Sequence, residues 1–287
     1  HPFDGDGMIT AIKFKNGIAS FTNKFVKTEG FLKEQKVDKF LYRGVFGSQK
    51  KGGVINNAFN LNLKNIANTH VIKLGDELLA LWEAAGPHSL DPNNLETNGL
   101  TTLKGVLKKN EAFSAHPKVD FNSNSADEVL ITFGVQTGPT STIRLMEFSN
   151  SGKNSGKILF DRKDKLKGFA FLHDFAITKN WAIFLQNAID FNPLPFVFGQ
   201  KGAAQCLKSN PNKTAKFFIV PRDSGLFRGQ PPITIDAPEG FVFHHVNAYE
   251  NNSNIILDSI FYDDFPSVGP DEDFRDIDFD NYPAGTL

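Results

Sequence analysis

The amino-acid sequence predicts an all-β fold, and three observations support that prediction. Short stretches rich in β-branched and aromatic residues recur from one end of the chain to the other. Turn-forming pairs such as Asn-Gly and Gly-Asp separate many of them, which is typical of β-hairpins. Long helical periodicity is scarce. Because hairpins occur along the whole length and do not separate into two halves, we favour a β-propeller over a sandwich or barrel, although the sequence contains no clean repeat.

The first predicted strand pair is the clearest. Met8–Phe14 and Ile18–Phe25 flank Asn16-Gly17, a pair that favours a two-residue hairpin because both turn positions need positive φ. The later predicted strands are His70–Leu74, Leu78–Glu83, Val129–Phe133, Thr142–Phe148, Ile158–Phe160, Phe171–Thr178, Trp181–Leu185, Phe241–Glu250 and Ile255–Tyr262. Short helices are predicted near Leu100–Lys109 and Ala203–Lys208.

The composition is that of a globular protein. Hydrophobic residues make up 40% and charged residues 22% of the 287 residues, and no low-complexity linker divides the chain, so we interpret residues 1–287 as one domain. The net charge of -1 gives no reason to expect a nucleic-acid partner. No apolar run approaches the ~18 residues of a membrane-spanning helix. Cys206 is the single cysteine, which excludes an intrachain disulfide and fits a reducing, cytoplasmic compartment.

Phenylalanine is unusually frequent. The chain has 29 Phe but 4 Tyr and 2 Trp. Phe has no polar atom in its side chain, so it suits places that stay apolar throughout. One interpretation is a Phe-rich β-sheet core, since aromatic residues favour strands. The other is a tunnel for a long apolar substrate.

The histidines are the candidate metal ligands. Seven are present, none of them at the helical i, i+4 spacing of a zinc helix, and no cysteine cluster accompanies them. Three positions lie among apolar residues beside predicted strands: His116 in FSAHP, His173 in FLHDF, and the pair His244-His245 in FVFHHVN. A propeller can bring such distant positions to its central axis. Taken one at a time, each is more typical of a hydrogen-bonded core histidine than of a ligand.

The segments around these histidines resemble a known family. FSAHP, GFAFLHDFAIT and GFVFHHVNAYE are similar to the three histidine segments of the carotenoid cleavage oxygenases, a family that also includes stilbene-cleaving enzymes and a retinal isomerase. HPFDGDGMI, FLYRGVFGSQK, LLALWEAAGPHSLDP and FNPLPF resemble further family segments, in the same order. The resemblance covers essentially the whole chain and is greatest to the apocarotenoid-cleaving branch.

The resemblance implies a seven-bladed β-propeller with iron(II) on its axis, held by four histidines and no carboxylate. His116, His173 and His244 match three of these ligands. At the double histidine we choose His244, because plant members of the family keep a histidine there and have another residue type at the next position. His245 is then expected to be a packing residue. The fourth histidine is expected beyond Leu287, and the chain starts inside the family's N-terminal region, so we expect the central portion of a propeller, incomplete at both ends.

A ligating imidazole presents one nitrogen to the metal and donates its other N–H elsewhere. The resemblance implies that Glu83, in LWEAAG, accepts this hydrogen bond, with His173 as its partner. The alternative is a surface carboxylate at a strand end, which the apolar run before it disfavours. The resemblance also implies a substrate tunnel, with Phe3, Phe46, Trp82, Phe171 and Phe243 as its lining. Structural hydrogen bonds are expected from Asp174 and Glu250.

The function that the resemblance implies is oxidative cleavage of a conjugated double bond in a carotenoid or apocarotenoid. Dioxygen adds across the bond, and two carbonyl products leave. Two alternatives stay open: cleavage of stilbene-like compounds at the same site, and a non-catalytic propeller that binds carotenoids. A hydrolase that uses a hard cation is disfavoured, because such sites are built from oxygen ligands. No phosphate-binding loop or GxSxG motif indicates other chemistry.

Carotenoids dissolve in membranes, so we expect a protein that associates peripherally with a membrane surface. The candidate contact is Phe191–Gly199, FNPLPFVFG, because its two prolines oppose a central strand or helix. The side chains expected to be exposed there are Phe191, Leu194, Phe196 and Phe198. Lys201 follows and suits anionic headgroups. The alternative is that the segment folds over the core as a lid. The acidic run at 271–280 is interpreted as a solvated loop rather than a calcium site.

Overall fold

The computed structural model describes residues 2–109, 111–122, 127–223 and 225–266. Within these ranges the chain forms mainly antiparallel β-sheet, which confirms the predicted all-β class. Three sheets have four strands and three have two strands. The acidic run at 271–280 lies outside the described residues.

The elements follow one another as short strands with few helices. The strands are β1 (Met8–Lys15), β2 (Ile18–Phe25), β3 (His70–Leu74), β4 (Glu77–Leu81), β5 (His88–Leu90), β6 (Thr97–Leu100), β7 (Lys118–Asn122), β8 (Asp127–Gln136), β9 (Thr140–Ser149), β10 (Ile158–Lys167), β11 (Ala176–Ile177), β12 (Trp181–Gln186), β13 (Ile189–Phe191), β14 (Leu207–Ser209), β15 (Lys216–Pro221), β16 (Ile233–Asp236), β17 (Phe241–Asn251) and β18 (Asn254–Tyr262). The helices are α1 (Glu29–Val37), α2 (Gly53–Asn57) and α3 (Leu194–Val197), with 3-10 turns at Pro2–Asp4, Gly152–Asn154 and Ala204–Cys206.

The four-stranded sheets are built from strands that are close in sequence. Their strand orders are β3-β4-β5-β6, β10-β9-β8-β7 and β11-β12-β15-β16. The pairs β1-β2, β13-β14 and β17-β18 form the two-stranded sheets. Every pairing within these sheets is antiparallel, so short turns can connect neighbouring strands.

The predicted hairpins are confirmed. In the first, Lys15 pairs with Ile18, and Asn16 and Gly17 have φ of 52° and 77°, as a two-residue turn requires. The other predicted pairs recur as β3-β4, β8-β9, β11-β12 and β17-β18, with shifted ends.

Three predictions of local structure are wrong in whole or in part. No helix forms over residues 101–109: Leu103 and Lys104 have φ of 50° and 57°, which a right-handed helix cannot accommodate. In place of the helix predicted near Ala203–Lys208, the chain forms one 3-10 turn at Ala204–Cys206 and then enters β14 at Leu207. The strand predicted from residue 171 is reduced to β11, Ala176–Ile177.

Helix α1 was not predicted, although its sequence contains the signals. Thr28 caps the helix by accepting the backbone N–H of Phe31 at 3.1 Å. Glu29 and Lys33 form an i, i+4 ion pair. Asp38 ends the helix with φ of 51°. No helix in the described ranges is long and apolar enough to cross a membrane.

The core lies between successive four-stranded sheets. Alternate residues of β8 face opposite sides, as the pleat of a strand dictates. Ile131 and Phe133 pack towards β12 and β15, where they meet Phe184. Leu130 packs on the other side, against residues of β4 that include Leu79. The sheet β7–β10 is therefore packed face to face against a sheet on each side.

Candidate metal centre

Three histidines from distant parts of the chain converge. His116 lies in the loop before β7, His173 in the irregular segment between β10 and β11, and His244 within β17. One ring nitrogen of each lies within 4.8 Å of those of the other two. The Nε2 atoms of His116 and His173 are 3.0 Å apart, and the ring centroids are separated by 4.6, 4.9 and 5.1 Å. Among the described residues, these three histidines form a group that can share one metal ion.

Side-chain hydroxyls fix the two irregular segments. The Oγ of Ser114 accepts the backbone N–H of His116 at 3.0 Å. The Oγ of Ser141 accepts the N–H of Ala170 at 3.0 Å, three residues before His173. In both segments a backbone N–H that has no strand partner is therefore hydrogen-bonded by a serine hydroxyl. The predicted strand from Phe171 would have placed His173 in a sheet, but β10 ends at Lys167 and β11 begins only at Ala176.

The two adjacent histidines of β17 point in different directions. The pairing register of β17 with β18 shifts between Val242 and His245 and again between His245 and Asn247, and such bulges redirect side chains. The Nδ1 of His245 lies 2.7 Å from the Oγ of Ser259, and the side chain is buried. His244 faces the other two histidines instead.

Glu83 contacts one of the three imidazoles directly. It follows β4, and its Oε2 lies 2.5 Å from Nδ1 of His173. If Nδ1 carries the proton that Glu83 accepts, Nε2 keeps its lone pair. That atom faces Nε2 of His116. Glu83 therefore selects the tautomer in which His173 offers a nitrogen to the centre of the group.

The pKa values of the histidines differ within the group. Burial, with a smaller contribution from the charge of His173, lowers the pKa of His116 to about 4. Burial and then the charge of His173 also lower the pKa of His244. Burial acts on His173 in the same direction, but the hydrogen bond and charge of Glu83 and the charge of Asp174 outweigh it and raise the pKa above its ordinary value. At neutral pH, His116 and His244 are therefore neutral imidazoles, the form that binds metals.

The donor set fits a first-row transition metal. An ion about 2.1 Å from two imidazole nitrogens, the distance typical of zinc-bound histidine, separates them by about 3.0 Å when the two bonds meet at a right angle. The His116 and His173 nitrogens have this separation. Imidazole suits iron, copper, nickel and zinc, whereas magnesium and calcium prefer oxygen.

The chain matches a known family over nearly its whole length. Residues 1–282 match the model of the family described as retinal pigment epithelial membrane protein. The chain belongs to this family. It is the carotenoid oxygenase family whose histidine segments the sequence resembles.

Two relatives and a solved structure illustrate the likeness of this chain to known proteins. Apocarotenoid-15,15'-oxygenase of Synechocystis is 48% identical over 290 residues, covering 100% of this chain and 57% of that protein. Resveratrol cleavage oxygenase 1 of Botryotinia fuckeliana is 31% identical over 221 residues, covering 77% of this chain and 37% of that protein. The crystal structure of a cobalt-substituted Synechocystis apocarotenoid oxygenase has a TM-score of 0.89 at 47% identity, covering 98% of this chain and 57% of the other. The chain spans little more than half the length of the Synechocystis protein.

Two of the residues predicted to line a tunnel, Phe171 and Phe243, lie beside His173. The ring centroid of Phe243 lies 5.5 Å from that of His173, and that of Phe171 lies 6.4 Å away. Both rings are half-buried. Trp82 is buried next to Glu83. These aromatic side chains give the centre an apolar environment.

The other two predicted lining residues form a pair. The ring centroids of Phe3 and Phe46 are 5.3 Å apart, and Phe3 is exposed. A tunnel role for them stays a prediction.

The predicted membrane contact is only partly exposed. Leu194 and Phe198 are 58% and 45% exposed. Phe196 is 8% exposed, so its assignment as a membrane contact is wrong: its ring packs 4.1 Å from the Arg43 guanidinium carbon. Phe191 is half-buried and stacks on another phenylalanine. The segment expected to be a loop contains α3, because prolines are tolerated in the first turn of a helix.

Sequence reasoning missed a neighbour of this segment. Phe59 is exposed, and its ring lies 5.8 Å from that of Phe198. We call Phe59, Leu194 and Phe198 the apolar patch. Phe59 is more than 130 positions from the other two residues in the sequence, which hid the cluster.

Proposed function

We propose that the protein is an iron(II)-dependent oxygenase that cleaves a conjugated C=C bond of a carotenoid or apocarotenoid to two carbonyl products. The observation that carries this proposal is the convergence of His116, His173 and His244. Glu83 is hydrogen-bonded to His173. Membership of the carotenoid oxygenase family supports the same activity, as does the likeness to a protein named apocarotenoid-15,15'-oxygenase.

The fold that goes with this function is a seven-bladed β-propeller. Three antiparallel four-stranded sheets support it, because a propeller blade is such a sheet. Face-to-face packing of β7–β10 against a sheet on each side is the arrangement of neighbouring blades. His116 and His173 lie in connections rather than in sheet interiors, which suits a site near a central axis.

In the mechanism, His116, His173 and His244 would hold iron(II), with Nε2 of His116 and His173 as two of the ligand atoms. Bound iron(II) would supply activation of dioxygen for addition across the double bond. Glu83 holds the His173 proton at Nδ1, which keeps Nε2 available. Neutral imidazoles add no negative charge and leave the metal electrophilic. Phe171 and Phe243 exclude water and offer flat apolar surfaces to a polyene.

Stilbene cleavage is the second candidate, favoured by the likeness to a protein named resveratrol cleavage oxygenase. A phenolic hydroxyl needs a polar partner when buried. The phenylalanine rings beside His173, those of Phe171 and Phe243, carry no polar atom, so a polyene fits better. A carotenoid-binding protein without activity would not need three imidazole nitrogens within 4.8 Å of one another.

The proposal is tested by assaying the full-length protein, loaded anaerobically with Fe(II), against an apocarotenal and against resveratrol. Two carbonyl products from the apocarotenal are expected, and none from a His173→Ala variant. His245→Gln, at the neighbouring histidine that faces Ser259, should retain activity. Cleavage of resveratrol alone would establish the second candidate, and product formation by His173→Ala would contradict the metal site.

We also propose that the apolar patch rests on a membrane from which the substrate is taken up. Exposed apolar side chains of this size are costly in water unless they meet a partner. Lys201 follows α3 in the sequence, and lysines near an apolar surface favour anionic headgroups. The exposed side chains of the apolar patch would lie against lipid. The buried Phe196, packed against Arg43, would hold α3 to the rest of the protein.

A further inference from the structure

One buried carboxylate contacts the segments of all three histidines. The Asp174 side chain is 2% exposed, and its Oδ1 lies 2.8 Å from Nζ of Lys118. Its Oδ2 accepts the backbone N–H of His245 at 3.0 Å.

Each of these contacts is next to a member of the histidine group. Lys118 is two residues beyond His116, and His245 directly follows His244. Asp174 itself directly follows His173. Three segments separated by more than fifty residues each are therefore tied to the two oxygen atoms of one side chain.

We propose that Asp174 is a positioning residue that sets the relative placement of His116, His173 and His244 for metal binding. The proposal rests on the metal centre of the proposed function and deepens it. Glu83 acts on one imidazole ring, at Nδ1 of His173. Asp174 acts through the backbone of β17 and through Lys118, so it controls the distances among the rings rather than the tautomer of one.

A carboxylate suits this position because one oxygen pairs with the Lys118 ammonium and the other accepts a backbone N–H. Lys118 and the N–H of His245 are both donors. An asparagine has one acceptor oxygen, and its NH₂ group would face the other donor. The Lys118 side chain is 28% exposed, so its ammonium would turn towards water when the carboxylate is replaced by an amide. The tie between the segment of His173 and the start of β7, two residues beyond His116, would then be lost.

The Asp174–Lys118 pair adds no net charge of its own beside the three imidazoles, because its two opposite charges cancel. Lys118 is held from a second side, since its Nζ lies 5.9 Å above the ring of Phe175. The pair therefore links the start of β7 to the segment that carries His173.

The test measures metal binding rather than turnover. Co(II) is the probe, because its visible absorption bands report coordination geometry and a cobalt-substituted relative has been solved. In the full-length protein, Asp174→Asn should weaken Co(II) binding roughly 10–100-fold, as loss of an outer-sphere partner typically does, and should change the band positions or intensities. Lys118→Gln, which keeps a donor towards Asp174, should shift the bands with a smaller loss of affinity.

The matched control is Glu147→Gln. Glu147 is buried and pairs with buried Arg222 at 3.2 Å, so it is the same kind of ion pair, placed in β9. It should lower thermal stability and leave Co(II) affinity and spectrum unchanged. A parental affinity and spectrum in Asp174→Asn would overturn the proposal, and so would equal changes in Glu147→Gln. If Asp174→Asn does not fold, an unchanged spectrum in Lys118→Gln overturns it. A parent that binds no cobalt would refute the metal centre itself, and this proposal with it.

Discussion

Replacing Glu83 by glutamine removes one charge from the metal centre and keeps the shape of the side chain. The Glu83 carboxylate lies 2.5 Å from Nδ1 of His173. A hydrogen bond to a charged group contributes roughly 1.5–3 kcal/mol. Since about 1.4 kcal/mol corresponds to a tenfold change in an equilibrium constant, metal affinity should fall roughly 10–100-fold. The side chains of His173 and Glu83 are 18% and 23% exposed, so water replaces part of the interaction and the lower half of this range is expected.

Proton competition acts against this loss and must be removed from the assay. Glu83 raises the pKa of His173 against the opposing effect of burial. The Glu83→Gln variant therefore binds a proton at His173 less tightly, which favours the metal at low pH. Titration of the metal-free protein with Co(II) well above the ordinary histidine range isolates the effect of the hydrogen bond.

A suitable control is Glu250→Gln. Glu250 accepts hydrogen bonds from Thr178 and Asn180 at 2.6 Å each, so its substitution also converts a hydrogen-bonded carboxylate to an amide. It should change stability and leave Co(II) affinity unchanged. Equal Co(II) affinities for the parent and Glu83→Gln, measured at the same high pH, would refute the role assigned to Glu83.

Three further predictions concern other parts of the molecule. Burial lowers the pKa of His88 to about 4, whereas a histidine in the unfolded chain titrates near 6.5. Between these two pH values the unfolded state binds more protons than the folded state. The free energy of unfolding should therefore fall with decreasing pH, by up to about 1.4 kcal/mol per pH unit. Urea titrations should show a flatter pH profile for His88→Gln, and an unchanged profile would contradict this. Arg43 donates to four backbone carbonyls, so Arg43→Met should lower the free energy of unfolding by about 3 kcal/mol or more. A loss below about 1 kcal/mol, the contribution of a single hydrogen bond, would contradict this prediction. The full-length double variant Leu194→Ser and Phe198→Ser should co-sediment with anionic liposomes less than the parent, while Phe121→Ser, at an exposed phenylalanine of β7, should not differ from it.

The fold class could be predicted because strand pairing is encoded locally. Asn16-Gly17 favours a turn from its own two residues, and the strands it joins form the predicted hairpin, with Lys15 paired to Ile18. The helix predicted at 100–109 failed for the opposite reason. Its leucines, Leu103 and Leu107, are buried against the sheets of β4 and β9, and tertiary packing places their backbone in turns rather than in a helix.

The site could be predicted only with the family resemblance. Spacing alone left each of His116, His173 and His244 as an ordinary core histidine. Convergence depends on how three sheets pack, which no local pattern specifies. Lys118 shows the limit most clearly: in the sequence it is an ordinary lysine at a strand start, and its contact with Asp174 appears only in the folded chain.

The sequence also could not show which side chains of the apolar patch and its segment face solvent. The prolines and phenylalanines of FNPLPFVFG indicated an exposed segment, and Leu194 and Phe198 are exposed. Phe196 is covered because Arg43, more than 150 residues earlier, donates to its carbonyl oxygen at 2.7 Å and packs on its ring. Long-range contacts of this kind decide which of several equivalent phenylalanines faces solvent.

The most direct test of the account is the metal content of single histidine variants. The full-length protein, reconstituted anaerobically with Fe(II) and freed of excess metal, should retain about one iron per chain. His116→Ala, His173→Ala and His244→Ala should each lose most of it, whereas His245→Ala should keep it, because His245 faces Ser259. Retention of iron by His244→Ala together with its loss from His245→Ala would contradict the assignment, and a parent without bound iron would contradict the metal centre.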